Sequence, residues 1–203
     1  MNGCGEIERI LVDVDGTLCR NLVRICEYVE QEYGVTTDPE DVDEWMYEFE
    51  EAGITVGEVA ETLLRDHEEW YLKPLRPLAK ARIGLEQLSA AGVEIVVLTH
   101  RLPSTHATTR EWLDEHDLVY DEFVEDVPEN KAAVPGDVLV DDFHGNIRDA
   151  VEAGMGGILF DQPYNSSLSS PRAAVAESWD DVVHLLLEDD SFPGACEQSS
   201  VRN

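Results

Sequence analysis

Two aspartates one residue apart, in the run Asp13-Val14-Asp15-Gly16-Thr17, follow directly on the apolar stretch Ile10-Leu11-Val12. Acids at positions i and i+2, just past the carboxyl end of a buried strand, can point at one small volume. There they can hold a hard cation or share nucleophilic and proton-transfer work. An EF-hand loop does not fit, because a frame that starts at Asp13 puts Leu18 where that loop needs glycine and Arg24 where it needs glutamate. A hairpin turn at Asp15-Gly16 stays open on these five residues alone. Further along, Val97-Leu98-Thr99-His100 ends an apolar run with a hydroxyl, Lys131 lies in a loop, and Asp141-Asp142 closes Val138-Leu139-Val140. Thr99 also reads as a strand-end cap, and Asp142 as a helix N-cap. Three carboxylates, Asp13, Asp15 and Asp142, would repel one another in a single cleft unless a hard cation sat among them, and magnesium suits such a donor set.

The elements that must position these residues alternate. Strands are expected over Ile10–Val14, Val93–Leu98, Val138–Val140 and Gly157–Phe160, and helices over Pro77–Ala91, Ser104–His116, Asn146–Ala153 and Ser178–Glu188. The alternation predicts an α/β fold, a Rossmann-like doubly wound parallel sheet with its ligand site at the strands' carboxyl ends. Residues 19–76 break the rhythm with three helix-like segments. The first carries Leu22, Ile25, Cys26, Val29 and Tyr33, the second Trp45 and Phe49, and the third a capping box from Thr55 to Glu58 and then Val59, Leu63, His67 and Trp70. A small helical cap, 19–76, inserted after the first strand of a core made of 1–18 and 77–190, accounts for this. From Asp189 the composition turns polar, and 191–203 reads as a disordered tail.

In order and context, Asp13-x-Asp15-Gly16-Thr17, strand-terminal Thr99, Lys131 and Asp141-Asp142 resemble the four motifs of the haloacid dehalogenase-like hydrolases, over residues 8–18 and 78–162. The resemblance implies that Asp13 attacks phosphorus to form an aspartyl phosphate. Asp15 is then general acid and afterwards base, its backbone carbonyl on magnesium and its side chain free for proton transfer. Lys131 and Thr99 would meet the phosphoryl oxygens. Lysine is scarce here, with only Lys73, Lys80 and Lys131 against eleven arginines, which favours a dedicated role for the one between the second and fourth motifs. Of the paired acids, Asp142 is the favoured metal ligand, because Asn146 follows it by four residues as in a related pattern of the family. Asp141 then serves as a bracing or water-mediated ligand.

The stretches Leu98-Thr99-His100-Arg101-Leu102-Pro103, Glu111-Trp112-Leu113 and Phe160-Asp161-Gln162-Pro163-Tyr164-Asn165 resemble a narrower group, the 5'-nucleotidases of the deoxy (pyrimidine) cytosolic type. Thr17 stands where that group usually has Val, and His100 where a small residue is common. The implied substrate is a small phosphate ester, such as a nucleoside monophosphate, a sugar phosphate being the alternative. Thr99, His100, Arg101 and Lys131 are the expected phosphate contacts, although Arg101 could instead pair with an acid. Trp70 and Tyr71, with Tyr71 taken as exposed, are the expected base contacts, while most cap aromatics are expected to pack the cap's own core. His144 reads as a loop residue at the cleft mouth. A binding module that kept the fold without turnover is disfavoured by the intact acids.

Forty-four acidic residues against fourteen Lys and Arg leave a formal charge of −30. No basic footprint for a nucleic-acid polymer exists. Cys4, Cys19, Cys26 and Cys196 form no CxxC pair, no apolar stretch reaches membrane length, and the amino terminus has no basic-then-apolar pattern, so a cytoplasmic protein is expected. A second copy of the chain is a compatible partner. The acid excess and arginine bias resemble proteins of salt-accumulating archaea. Raising ionic strength from 0.01 M to 1 M shortens the screening length from about 30 Å to about 3 Å, which relieves self-repulsion in the folded chain. The thermal unfolding midpoint is therefore expected to climb across a potassium chloride series, and a flat or falling midpoint would contradict this reading of the composition.

Overall fold

The computed structural model describes residues 7–165, 170, 172–189 and 191–192. Their centre is a six-stranded parallel sheet in the order β5-β4-β1-β6-β7-β8. Its strands are β1 (Arg9–Val12), β4 (Glu94–Val97), β5 (Glu122–Phe123), β6 (Val138–Asp141), β7 (Gly156–Phe160) and β8 (Ala173–Ala176). The inner strands are apolar at nearly every position because both faces are covered. Ile10, Val12, Ile95, Val97, Val140 and Ile158 face one apolar cluster, shared with α4 (Ala81–Ala90), α5 (His106–Glu115) and α7 (Trp179–Leu187). Leu11, Val96, Leu139 and Leu159 face the other, against Ile147 and Ala150 of α6 (His144–Glu152). This is the doubly wound α/β arrangement the alternation predicts. The chain runs outward from β1 through β4 to β5 and then crosses back to β6 on the other side of β1. The carboxyl ends of β4, β1 and β6 therefore meet where the winding reverses.

Two strands of this sheet escaped the sequence reading. β5 is only two residues long, and Ala173-Ala174-Val175-Ala176 has a single β-branched residue, Val175, among alanines, which are depleted in strands. The helix expected from Pro77 starts at Ala81, after Lys80 takes a left-handed conformation (φ 66°).

Outside the sheet, the segment after β1 opens with α1 (Asn21–Tyr33), whose Leu22, Ile25, Cys26 and Val29 are buried. The helix expected around Trp45 and Phe49 is instead a hairpin of β2 (Glu48–Phe49) and β3 (Ile54–Thr55). Its turn closes on Gly53 (φ 62°), with the Ala52 and Gly53 amides both donating to the Phe49 carbonyl at 2.8 Å. Phe49 is buried whereas Trp45 and Met46 are exposed, so the segment has no helical apolar stripe. The capping box at Thr55 and Glu58 starts α2 (Val56–Asp66) as expected, but the helix breaks at His67 before α3 (Glu68–Leu72). Phe49, Val59, Leu63, Tyr71 and Leu72 join the same apolar cluster as one face of the sheet.

Cys19 and Cys26 are free and buried; Cys4 and Cys196 lie outside the described residues. Phe192 is buried in the main cluster, so ordered chain extends past the expected start of the tail at 191, while 193–203 lie outside the described residues. Among the described residues no helix is long and apolar enough to cross a membrane.

The strand-to-loop passage after β1 is pinned from behind by Trp179, whose indole N–H donates to the Thr17 carbonyl at 2.9 Å. The Thr17 hydroxyl is buried and has no hydrogen-bond partner among the described residues. Such an orphan costs free energy that an isosteric methyl does not. Thr17→Val is therefore expected to leave stability unchanged or raise it by about 1 kcal/mol in denaturant unfolding. A loss of more than about 1 kcal/mol would mean that the hydroxyl is bonded in the folded protein.

Candidate active site

Past β1, the Asp13 amide continues the ladder by donating to the Val140 carbonyl at 3.0 Å, which fixes the backbone from which the Asp13 carboxylate projects. The chain then turns sharply at Gly16 (φ 73°). A Cβ there would lie 2.0 Å from Asp142 Oδ2, so only glycine lets the loop approach the end of β6. The Gln162 side-chain amide donates to the Gly16 carbonyl at 2.6 Å and holds the turn down.

Lys131 sits in a 3₁₀ turn, Lys131–Ala133, and is 2% exposed. Its Nζ donates to Asp13 Oδ1 and to Asp141 Oδ2, each at 2.7 Å. Asp141 is fully engaged: its oxygens also accept from the Phe143 amide at 2.8 Å and from the Asn146 side-chain amide at 3.0 and 3.1 Å. Asp142 differs. Its Oδ2 accepts from the Tyr164 hydroxyl and its backbone carbonyl from Asn165 at 2.8 Å. Among the described residues, Asp142 Oδ1 and Asp13 Oδ2 take no hydrogen bond.

Asp13, Asp141 and Asp142 are buried and offer carboxylate oxygens within 4.8 Å of one another. Burial pushes the Asp13 carboxyl up to about 7, with Asp141 and Asp15 adding repulsion and Lys131 opposing it. Burial, with repulsion from Asp141 and Asp13, pushes Asp142 well above the ordinary range. Three carboxylates facing one ammonium leave two uncompensated negative charges when all are ionised. That imbalance, with free oxygens on Asp13 and Asp142, fits a hard divalent cation.

Asp15, also expected in this group, turns away from it. Its carboxylate forms a two-pronged ion pair with Arg101, from Nε and Nη2 at 2.7 Å each. The side chain is thus not free, as expected from the resemblance, but clamped, and Arg101 pairs with an acid rather than waiting for phosphate. Thr99 is buried at the end of β4, and its hydroxyl accepts from the Arg101 amide at 3.2 Å. His100 is exposed, with its ring against the Pro128 carbonyl at 3.0 Å. His144 is exposed at the start of α6, outside the acid group.

A cavity of about 690 Å³ opens over these groups, lined by Asp13, Asp15, Thr99, Lys131 and Asp142 below. Above, the segment after β1 contributes Leu22, Ile25, Val42, Trp45, Val56 and Ala60. Trp70 and Tyr71 are not on its wall. Tyr71, expected to be exposed, is 1% exposed and bonded to the Asn21 side chain, while Trp70 packs under the Arg24 guanidinium, 3.6 Å from its ring centroid. The break at His67 rotates α3 away from the stripe of α2, and that rotation turns Tyr71 inward. The segment over the cavity contributes the Trp45 ring, 42% exposed, packed against Phe143 at 4.5 Å and Tyr164 at 5.5 Å between centroids, and these two rings line the cavity as well. Gln162, Tyr164 and Asn165 had a sequence signal, a polar turn directly after the last long strand, at the sheet end where ligands bind.

Residues 6–192 match the model of a family described as 5' nucleotidase, deoxy (pyrimidine), cytosolic type C protein. No curated protein matches the sequence significantly. Solved structures share the fold at low identity. A proposed phosphoglycolate phosphatase from Lactobacillus delbrueckii subsp. bulgaricus superposes with a TM-score of 0.63 at 15% identity, covering 91% of this chain and 100% of that one. The HAD-type hydrolase YfnB from Bacillus subtilis, bound to magnesium, gives 0.62 at 13% identity, with 90% and 100% covered. A HAD family hydrolase from Deinococcus radiodurans R1, with bound phosphate and sodium, gives 0.59 at 14%, with 93% and 99% covered.

A carboxyl whose proton affinity is raised by folding favours the folded state at low pH and loses that contribution as pH rises through its folded value. With divalent ions chelated, Asp13 should therefore cost stability between about pH 4 and pH 7, on the order of a few kcal/mol. Denaturant unfolding in a chelator is expected to show this decline in the wild type and a shallower one in Asp13→Asn. Equal pH dependence of the two proteins would place the Asp13 proton elsewhere.

Proposed function

Since the chain belongs to the 5' nucleotidase, deoxy (pyrimidine), cytosolic type C family, and is thus a HAD-superfamily hydrolase of phosphate esters, we propose that it is a magnesium-dependent phosphomonoesterase acting on nucleoside 5'-monophosphates. The supporting observation is the Asp13 carboxylate, held by buried Lys131 through one oxygen and left free at the other, at the floor of the cavity.

Asp13 Oδ2 attacks phosphorus as the bond from phosphorus to the ester oxygen breaks, and Asp15 delivers its proton to that oxygen, so the alcohol leaves neutral. Water then attacks the aspartyl phosphate. Asp15 takes a proton from it while the Asp13–phosphorus bond breaks, which releases phosphate and restores both acids to their starting states. Lys131 and Thr99 donate to the phosphoryl oxygens, where negative charge must be held. Asp13, Asp142 and the Asp15 carbonyl would hold a magnesium ion, which supplies positive charge against those oxygens and keeps them oriented. Asp141 aims Lys131 and is spent on that task, since both its oxygens are bonded.

Residues 19–76 act as the cap that encloses the leaving group. Their contribution to the cavity is mainly apolar, with Leu22, Ile25, Val42 and Val56, carries the Trp45 ring, and includes the polar Asn21, Glu44 and Glu61. The larger, apolar part of that wall, with the Trp45 ring, suits a flat heterocycle. In this reading Trp45 takes the part the sequence assigned to Trp70 and Tyr71.

A panel of phosphate esters with and without magnesium tests the reading. Nucleoside 5'-monophosphates should be hydrolysed faster than sugar phosphates, and only with the cation. Asp13→Asn should lose at least about a thousandfold in turnover while it remains folded. Trp45→Ala should lower kcat/KM for a nucleotide by about 10- to 100-fold, the worth of one base–ring stack, and for a small artificial ester far less. Equal losses on both substrates would assign Trp45 to packing, and activity of Asp13→Asn would remove the nucleophile.

A further inference from the structure

The Asp15–Arg101 pair is built too deliberately for a fortuitous surface bridge. The Arg101 side chain is 1% exposed, while that of Asp15 is 24% exposed and lines the cavity. The guanidinium is therefore buried behind the carboxylate, although Arg101 also borders the cavity. Every face of it is occupied. Nε and Nη2 donate to the two Asp15 oxygens at 2.7 Å, Nη1 to the Thr109 hydroxyl at 3.1 Å, and Nη2 also meets Cys19 Sγ at 3.5 Å. The backbone of Arg101 is held as well: its amide donates to Thr99 Oγ1 at 3.2 Å, and its carbonyl meets His106 Nε2 at 3.1 Å. A substrate phosphate cannot reach such a group without dismantling it.

We propose that Arg101 is a positioning residue that aims the Asp15 carboxyl at the leaving oxygen and, in the second step, at the attacking water. The inference rests on the assignment of Asp15 as acid and base above. A planar fork bonded at both oxygens removes the carboxyl's rotational freedom, which an unpaired aspartate on a tight loop would keep. When Asp15 carries the proton on one oxygen, the other keeps its guanidinium bond, so the aim survives each transfer. Thr99 and Arg101 are joined through one hydrogen bond. The hydroxyl offered to the phosphoryl group and the group that orients the acid thus belong to one braced loop.

A bond-forming step and a bond-breaking step both depend on Asp15, and they can be separated by the leaving group. p-Nitrophenolate departs without help from an acid, whereas a nucleoside alkoxide needs the proton. If Arg101 aims Asp15, Arg101→Gln should lower kcat for a nucleoside monophosphate about 100-fold or more with KM within about threefold. With p-nitrophenyl phosphate, rapid-quench measurement should show a burst of about one nitrophenolate per chain, because the aspartyl phosphate forms quickly and waits for a misplaced base. Arg101→Lys, which keeps the charge but not the fork, should show the same burst with a smaller loss. Thr109→Val, which removes only the brace behind the guanidinium, should lower kcat by about three- to tenfold, and it preserves the test if Arg101→Gln does not fold. A KM raised tenfold or more with kcat unchanged would make Arg101 a phosphate ligand. Equal losses on both esters without a burst would make the pair merely structural. An inactive wild type would instead overturn the phosphatase reading itself.

Discussion

Lys131 places its ammonium 2.7 Å from both Asp13 and Asp141 in a pocket closed to solvent, and the rest of the site is arranged around that contact. A lysine so buried stays charged only because two carboxylates repay its desolvation. The carboxylates in turn could not gather at the sheet end without it. Even so the balance is incomplete, since Asp142 adds a third negative charge to the same volume. The fold thus creates a local deficit of positive charge, which a divalent cation would fill.

The scaffold holds this deficit in place with backbone geometry and neutral hydrogen bonds. β1 lies between β4 and β6, so a single strand register sets Asp13 beside the paired acids. Gly16 allows the loop to pass Asp142 at a distance no side chain would tolerate, and Gln162 secures that passage. Asn165 and Tyr164 approach Asp142 from the turn after β7, one on its carbonyl and one on its carboxylate. Trp45 rests on Phe143 and Tyr164, which links the segment over the cavity to the residues that orient Asp142.

How much of this was legible in the sequence depended on the range of the signal. Apolar runs of three to six residues and the acids at their ends were enough for the parallel sheet, because burial on both faces leaves an unbroken hydrophobic string. The order of Asp13, Thr99, Lys131 and Asp141-Asp142 placed the site at the sheet's end. Pairings between distant residues left no such trace. Arg101 reads as either a phosphate contact or the partner of an acid, because position alone cannot say that Asp15, 86 residues away in the chain, will claim its guanidinium. Tyr71 was read as exposed because a continuous helix from Thr55 was assumed, and the break at His67 reverses its facing. Trp45 and Phe49 stand four residues apart, a helical spacing, and only the turn at Gly53 and the pairing of Glu48–Phe49 with Ile54–Thr55 make the segment a hairpin and leave the Trp45 ring exposed.

The central constraint is the unbalanced charge at Asp13, Asp141 and Asp142, and calorimetric titration of magnesium into the protein at pH 6, below the raised Asp13 value of about 7, measures it most directly. One saturable site per chain is expected, with proton release on binding because the raised carboxyl of Asp13 must ionise. Asp142→Asn, which removes a charge and replaces one donor oxygen by an amide nitrogen, should weaken that site by at least about tenfold. Absence of saturable binding in the wild type, or equal affinity in Asp142→Asn, would contradict the assignment of this cluster to a divalent cation.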